Sequence, residues 1–325
     1  MLAIVLAHLA LATAAGRDQA PQLVKVEHRD EVMGSTFAVV LYGADRPSLD
    51  AAAQAALDEA HRLDAVLSNY QPDSEWSGVN QEAAKRPVTV SAELFALLAD
   101  CLRYSADSDG AFDITVGPLM RVWGFYKGEG TLPKRGAVEA ALRHVGYRYI
   151  HLDHAAKTVR FGVPGLELDP GGIGKGYAVD RMADVLAARG VAIGLISASG
   201  STIYGRGAPP DEPRGWPIII RRPGDRDAIA AQVFLKDMAL STSGSFEKFF
   251  WANGRTYAHL IDPRTGYPAR GVASVSVVAP RAIDSEAWTK PYFINGRAWT
   301  VAHTRAGTRV LFCPDSQPAA CEWIP

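Results

Sequence analysis

Net charge is almost missing from this sequence: 34 Lys and Arg stand against 35 Asp and Glu, a formal −1 over 325 residues, with no long basic or acidic block. Nothing in that balance recruits nucleic acid or anionic lipid. Three cysteines are too few for a disulfide framework. After the first residues no apolar run approaches the roughly 18 that a membrane-spanning helix needs, so no span is expected in the mature chain. There is no internal repeat, no convincing linker, and neither GxGxxG nor GxxxxGK[ST]. What is present, 48% hydrophobic residues, suffices to bury a sizeable core as one large domain or two closely merged ones.

The start, MLAIVLAHLALATAAG, is an apolar run ending in Ala12, Thr13 and Ala14, the small-x-small pattern a signal peptidase cuts. Residues 1–16 therefore read as a signal peptide and the protein as extracytoplasmic, in the periplasm. A plain buried helix is the other reading, because no basic residues precede the run. No cysteine follows it to carry a lipid anchor. Cys313 and Cys321 are close enough in sequence to staple a short tail in an oxidising compartment, whereas Cys101 falls in a helical pattern as a buried thiol.

Along the chain, Phe37 to Leu41 is a β-rich run, and Ser48 is placed to cap a helix carrying Ala53, Leu57, Ala60, Leu63 and Leu67 at three-to-four spacing. A second helix is expected from about Ser91 to Tyr104. HLDHAAKTVRF reads as a hairpin turning around Ala155 and Ala156, with His151 and His154 on the surface. VAIGLISAS, WPIIIRR and GVASVSVVAP are strand-like. Short antiparallel-looking strands mixed with helices indicate an α+β fold rather than a βαβ series.

Three stretches have the makings of a site. DPGGIGKG, residues 169–176, puts a glycine-rich turn at a helix start, where backbone N–H groups and Lys175 suit a phosphate; a purely structural turn would look the same. GAFDITVGPL, residues 110–119, holds Asp113 between apolar residues, where a carboxylate needs a donor or a cation. YAHLIDPRTGYPA, residues 257–269, carries His259, Leu260 and Asp262 into a turn, and STSGSFEKFF nearby offers hydroxyls and backbone donors. By itself DSEAWTKPYFING, residues 284–296, reads as a loop entering an apolar strand.

Taken in order, MGST at 33–36, LSNY and SEWSGVN at 67–80, GAFDITVGPL with WGF, LDPGGIGKGYAVD at 168–180, STSGSFEKFF and HLIDPRTGYPA resemble the ApbE-type FAD:protein FMN transferases over residues 30 to 300. The resemblance implies a flavin transferase fold with a T-fold-like core and a closely packed second α/β portion, over residues 25–310, followed by a tail at 311–325. It implies an enzyme that moves FMN from FAD to a Thr or Ser hydroxyl of an acceptor flavoprotein subunit, one belonging to a membrane redox complex, and releases AMP with Mg²⁺ as helper. By position, Met33, Tyr70, Ala111, Phe112, Asp113, Asp169, Lys175 and Leu260 are expected on the FAD, and His259, Lys175 and Asp180 in catalysis.

The metal segment is where the chain departs from the resemblance. Gly172 and Gly174 are expected to offer oxygen ligands, with a late D-A-L-S/D-T motif supplying the rest. Here that motif reads Glu286, Ala287, Trp288, Thr289, Lys290. Three readings follow. In one, Asp284, Glu286 and Thr289 hold a displaced Mg²⁺. In the second, the Lys290 ammonium takes the ion's place and FAD is bound or slowly hydrolysed. In the third, the chain is a non-catalytic interaction module on the same fold. A second departure is SASGS, residues 197–201, where the family often has paired glycines.

Overall fold

The computed structural model describes residues 23–128, 130–318 and 320–325. The expected signal peptide lies outside the described residues, among which no helix is long and apolar enough to cross a membrane. The chain opens with a hairpin of β1 (Val24–Val32) and β2 (Ser35–Gly43). Its two-residue turn, Met33-Gly34, has both φ angles positive, 52° and 67°, matching the twist of an antiparallel pair.

Helix α1 (Arg46–Leu67) follows, with its start set by Asp45 rather than Ser48: the Asp45 side chain accepts from Ser48 N at 2.9 Å and Pro47 sits in the first turn, where no N–H is missed. Next come α2 (Glu75–Glu82), β3 (Val88–Thr89), α3 (Ala92–Asp107), capped by Ser91 at the expected start of the second helix, α4 (Gly117–Val122) and α5 (Ala137–Leu142). The expected hairpin is β4 (Ile150–Asp153) and β5 (Thr158–Phe161), with His151 and His154 exposed.

Helix α6 (Gly174–Ala188) ends at Gly190, whose φ of 73° lets Val191 N reach back to Leu186 O at 3.0 Å. The remaining strands are β6 (Ile193–Ala198), β7 (Thr202–Arg206), β8 (Trp216–Arg222), β9 (Asp225–Leu235), β10 (Met238–Gly244), β11 (Phe249–Ala252), β12 (Arg255–Ala258) and β13 (Val272–Ala279). Helix α7 (Ala282–His303) and strands β14 (Arg309–Pro314) and β15 (Glu322–Trp323) complete the chain.

Eight strands make one antiparallel sheet in the order β1-β2-β6-β7-β10-β13-β14-β15. Helices α1 and α6 bury Leu57, Ala60, Val179 and Met182 against one face, with Phe37, Val39 and Leu41 beneath them. The β8–β9 hairpin covers part of the other face through Trp216, Val233 and Leu235. A second portion, α2, α3 and the small sheet β3-β5-β4, shares a continuous core with β13 and α7, in which Trp76 and Leu98 join Val275, Trp288 and Phe293. The two portions are therefore merged through one apolar interior, as an α+β fold.

Two expectations are corrected. Residues 284–296 are helix, not a loop entering a strand: Ile283, Ala287, Trp288 and Tyr292 recur at helical spacing and are all buried, and the break comes at Gly296, φ 74°, ψ −176°. The presumed tail boundary at 310 cuts through β14, which pairs with β13 inside the main sheet. Cys313 and Cys321 are disulfide-bonded, tying β14 to the segment before β15, while Cys101 is a free buried thiol.

Candidate active site

The glycine turn is held from both sides. Helix α2 grips its entry, with Trp76 Nε1 and Asn80 Nδ2 donating to Leu168 O at 3.1 and 3.0 Å, and Leu168 N donating to Asn80 Oδ1 at 2.7 Å. Asp169 Oδ1 accepts from Gly171 N at 2.7 Å, and a Cβ on Gly171 would fall 2.7 Å from that same oxygen, so a larger residue there would push the Asp169 carboxylate aside. At Gly176 a Cβ would stand 2.6 Å from Ala282 O; its absence lets α6 touch the start of α7, where Gly176 N donates to Glu286 Oε2.

That contact places the first turn of α6 and the middle of α7 around a polar cavity of about 50 Å³ with strands β7 and β10. Lys175 enters it from α6, its Nζ donating to Ser201 Oγ at 2.6 Å and reaching Ser199 Oγ at 3.4 Å. Glu286, Thr289 and Lys290 enter from α7, Ser241 and Ser243 from β10, and Glu247, His259 and Leu260 from the segments that follow. Lys290 Nζ donates to Glu286 O at 3.0 Å and lies 4.0 Å from Glu286 Oε1. Burial pushes the Lys290 ammonium down to about 8, with Glu286 opposing and Lys175 adding to the shift.

His259 is fixed in one tautomer. Its Nδ1 is 3.1 Å from Lys248 O, an oxygen that only accepts, so Nδ1 carries the proton and Nε2 keeps a lone pair. Burial, helped by Lys248, Lys290 and Lys175, pushes the ring down to about 4, leaving it neutral near pH 7. Burial raises Glu247, against the pull of the Lys175, Lys290 and Lys248 ammoniums.

Beside the turn stands an aromatic wall. Tyr70, largely exposed, meets Tyr126 edge-on at 6.1 Å, and the Arg121 guanidinium lies 5.2 Å over the Tyr126 ring while its fork binds Glu167. The Tyr126 hydroxyl is buried against the turn's carboxylate, Asp169, and the Asn69 amide. Burial raises Asp169, opposed first by the Tyr126 hydroxyl and then by the Gly171 N–H. Met33, at its positive φ, donates its N–H to Asp64 at 3.3 Å and packs between the two large cores.

Other expected site residues serve the frame. Asp113 is buried beside Ala111 and Phe112; it accepts from Thr115 N at 2.8 Å, Thr115 Oγ1 at 2.7 Å and Tyr147 N at 2.7 Å. Burial raises it and those donors oppose the rise. Phe112 reaches the turn directly, its Cε2 being 3.6 Å from a Cβ built on Gly172.

Asp180, expected in catalysis, is instead the cap of α7: it accepts from Ala282 N at 2.7 Å and Ile283 N at 3.1 Å, with burial lifting it to about 6. Asp284, expected near the metal, accepts from the Tyr104 hydroxyl and does not line the cavity, because two residues along a helix turn it to the far side from Glu286. Asp262 binds Arg264 in its turn.

Sequence reasoning missed Glu247, Tyr126 and Ser201; the hydroxyls it noted in STSGSFEKFF include Ser241 and Ser243, which line the cavity from β10. The serines alternate in MALSTSG, a period-2 signal for one strand face, whereas Glu247 and Tyr126 have no local pattern to mark them.

The donors present do not fit a divalent ion. Of the Glu286 oxygens, one is taken by the Gly176 N–H and the other faces the Lys290 ammonium; Thr289 Oγ1 donates to Glu286 O at 2.7 Å and bonds Ser243 Oγ at 2.8 Å. Among the described residues no three His, Cys, Asp or Glu groups converge as a metal set. A hard cation needs several free oxygens, and here a fixed positive charge stands among them.

The family model described as the ApbE family matches residues 33–312. The FAD:protein FMN transferase of Klebsiella pneumoniae (strain 342) is 33% identical over 279 residues, 82% of this chain and 77% of that protein. That of Treponema pallidum (strain Nichols) is 32% identical over 322 residues, 93% and 88%. The crystal structure of the ApbE protein from Thermotoga maritima superposes with a TM-score of 0.84 at 29% identity, covering 92% of this chain and 96% of the other. The apo flavinyl transferase ApbE of Pseudomonas stutzeri gives 0.80 at 30% identity, covering 90% and 92%.

Proposed function

The chain belongs to the ApbE family, and from that premise we propose that it transfers FMN from FAD to a Thr or Ser hydroxyl of an acceptor flavoprotein. The observation that carries the reading is His259: a neutral imidazole, its Nδ1 proton pinned to the Lys248 carbonyl, in a cavity it shares with the Lys175 and Lys290 ammoniums. In the step proposed, the acceptor oxygen bonds to the FMN phosphorus and gives its proton to His259 Nε2. The bond from that phosphorus to the bridging oxygen breaks, and AMP leaves with the oxygen.

Lys175 would hold the phosphoryl oxygens as charge grows on them, together with the Gly172 and Lys175 N–H groups, the two in this turn not already donating among the described residues. Tyr70 and Tyr126 would take the flavin ring; Ala111, Phe112 and Asp113 would border the adenosine, with Met33, Asp169 and Leu260 completing the dinucleotide site. The proposal includes a T-fold-like core and an acceptor subunit of a membrane redox complex. It also places the protein outside the cytoplasm, a location the Cys313–Cys321 bond suits. Magnesium has no part in it, for want of fitting donors.

Mixing the purified protein with FAD and a Thr-bearing acceptor domain tests the reading by intact mass. The expected product is the acceptor plus one FMN less water, with one AMP released for each adduct. AMP and free FMN without adduct would turn the reading to hydrolysis, water standing in for the hydroxyl; no AMP with any credible acceptor would sink both.

A further inference from the structure

Two lysines brought into one small polar cavity repel each other, and a fold keeps such a pair only if something there answers both charges. Lys175 is answered by hydroxyls, Ser201 at 2.6 Å and Ser199 at 3.4 Å. Lys290 is answered by Glu286, through the carbonyl at 3.0 Å and Oε1 at 4.0 Å. The two ends of that pair are only 16% and 4% exposed. Its stem crosses the glycine turn, with Cε 3.5 Å from a Cβ built on Gly172. Helix α7 thus delivers one ammonium to a point between the phosphate-ready turn and a buried carboxylate, where a free cation would otherwise sit.

We propose that Lys290 is the resident cation of this site, and that the chain binds the pyrophosphate of FAD with no divalent metal. The inference rests on the flavin reading above. One of the three Lys290 N–H groups is committed to Glu286 O, which leaves two for phosphate oxygens. Glu286 holds the arrangement in place: Oε2 is tied to α6 by Gly176 N–H, and Oε1 is turned to the ammonium. Glu247 lies on the same wall, so the two lysines lining the cavity face two carboxylates, with the Lys248 ammonium acting on Glu247 from outside it. A divalent ion entering it would meet a fixed like charge and a carboxylate already engaged. An ammonium supplies charge and hydrogen bonds but no coordination sphere, so its work is to hold and neutralise phosphate.

The test is FAD binding to metal-stripped protein, followed by flavin fluorescence in EDTA and in Mg²⁺, with Mn²⁺ retention read by electron paramagnetic resonance. The wild type is expected to bind FAD equally in both buffers, within about twofold, and to retain no Mn²⁺. Lys290→Met keeps the apolar stem and removes the charge; FAD should weaken at least about tenfold in both buffers, with an unchanged melting profile. Lys290→Thr removes the blocking charge and adds an oxygen, and should recover part of the affinity with Mg²⁺ while retaining Mn²⁺. One Mn²⁺ retained per FAD by the wild type, FAD affinity lost on chelation, or a Lys290→Met protein that binds as the wild type does would each overturn the inference alone. A wild type that binds FAD in neither buffer would overturn the flavin reading, and this inference with it.

Discussion

Buried carboxylates occur in two surroundings in this molecule, and the contrast separates its frame from its chemistry. Asp113 and Asp180 each accept two backbone N–H groups: Asp113 ties the 113–115 segment to Tyr147, and Asp180 seats the start of α7 on α6. Glu286 and Glu247 instead share a cavity with lysines whose remaining donors are open. A carboxylate whose two oxygens are engaged by backbone N–H groups fixes geometry. One that balances a lysine ammonium sets the charge a ligand meets. Asp169 stands between the two groups, with one oxygen on Gly171 N and the other only 3.5 Å from the Asn69 amide.

The sharpest way to break that division is at the cavity. His259→Ala removes the proposed proton acceptor while leaving the Lys248 carbonyl near solvent, so transfer should fall about 10²–10⁴-fold with FAD affinity little changed. Loss of affinity in step with rate would make His259 a binding residue instead. Its depressed titration also fixes a sign: the ring is neutral above about 4, so the wild-type rate should stay level as pH falls through 6 and drop only near 4. An acid limb near the ordinary histidine range would contradict the burial that sets the shift. On the frame side, Asp113→Ala strands two backbone N–H groups and the Thr115 hydroxyl, and should cost about 3 kcal/mol in denaturant unfolding.

How much was legible in advance follows the same line. Helices α1 and α3, the 150–161 hairpin and the end of α6 at Gly190 rest on local spacing, caps and turn residues, and the sequence carries those openly. The DPGGIGKG turn and His259 were visible as motifs. Neither what meets them nor which acidic residues are structural could be read, because Gly176 and Glu286 are brought together from 110 positions apart. The 284–296 segment was misread because Asp284, Ser285, Glu286 and Lys290 look like loop polarity; all four instead have partners, Asp284 in Tyr104, Ser285 in Ser241, Glu286 in Gly176 and Lys290 in the Glu286 carbonyl. Polar residues that are each answered in three dimensions leave a helix whose apolar stripe was there to be seen.

The smallest effect is the most discriminating for the division. Asp180 lies on α6 one turn beyond Gly176 and was read from sequence as catalytic, yet both its oxygens cap α7, with Arg281 Nε 3.6 Å away at the surface. Asp180→Ala should cost about 1 kcal/mol of stability, the usual loss for a helix cap, measured by urea unfolding. The cap and the Gly176–Glu286 contact hold the same end of α7, so the surviving contact should keep Glu286 and Lys290 in register. Transfer at a temperature where the variant is fully folded should then stay within about twofold of the wild type. A fall as deep as that of His259→Ala in a protein with intact melting would move Asp180 from the frame to the chemistry, and would mean that α7 needs both of its anchors to present Lys290 at all.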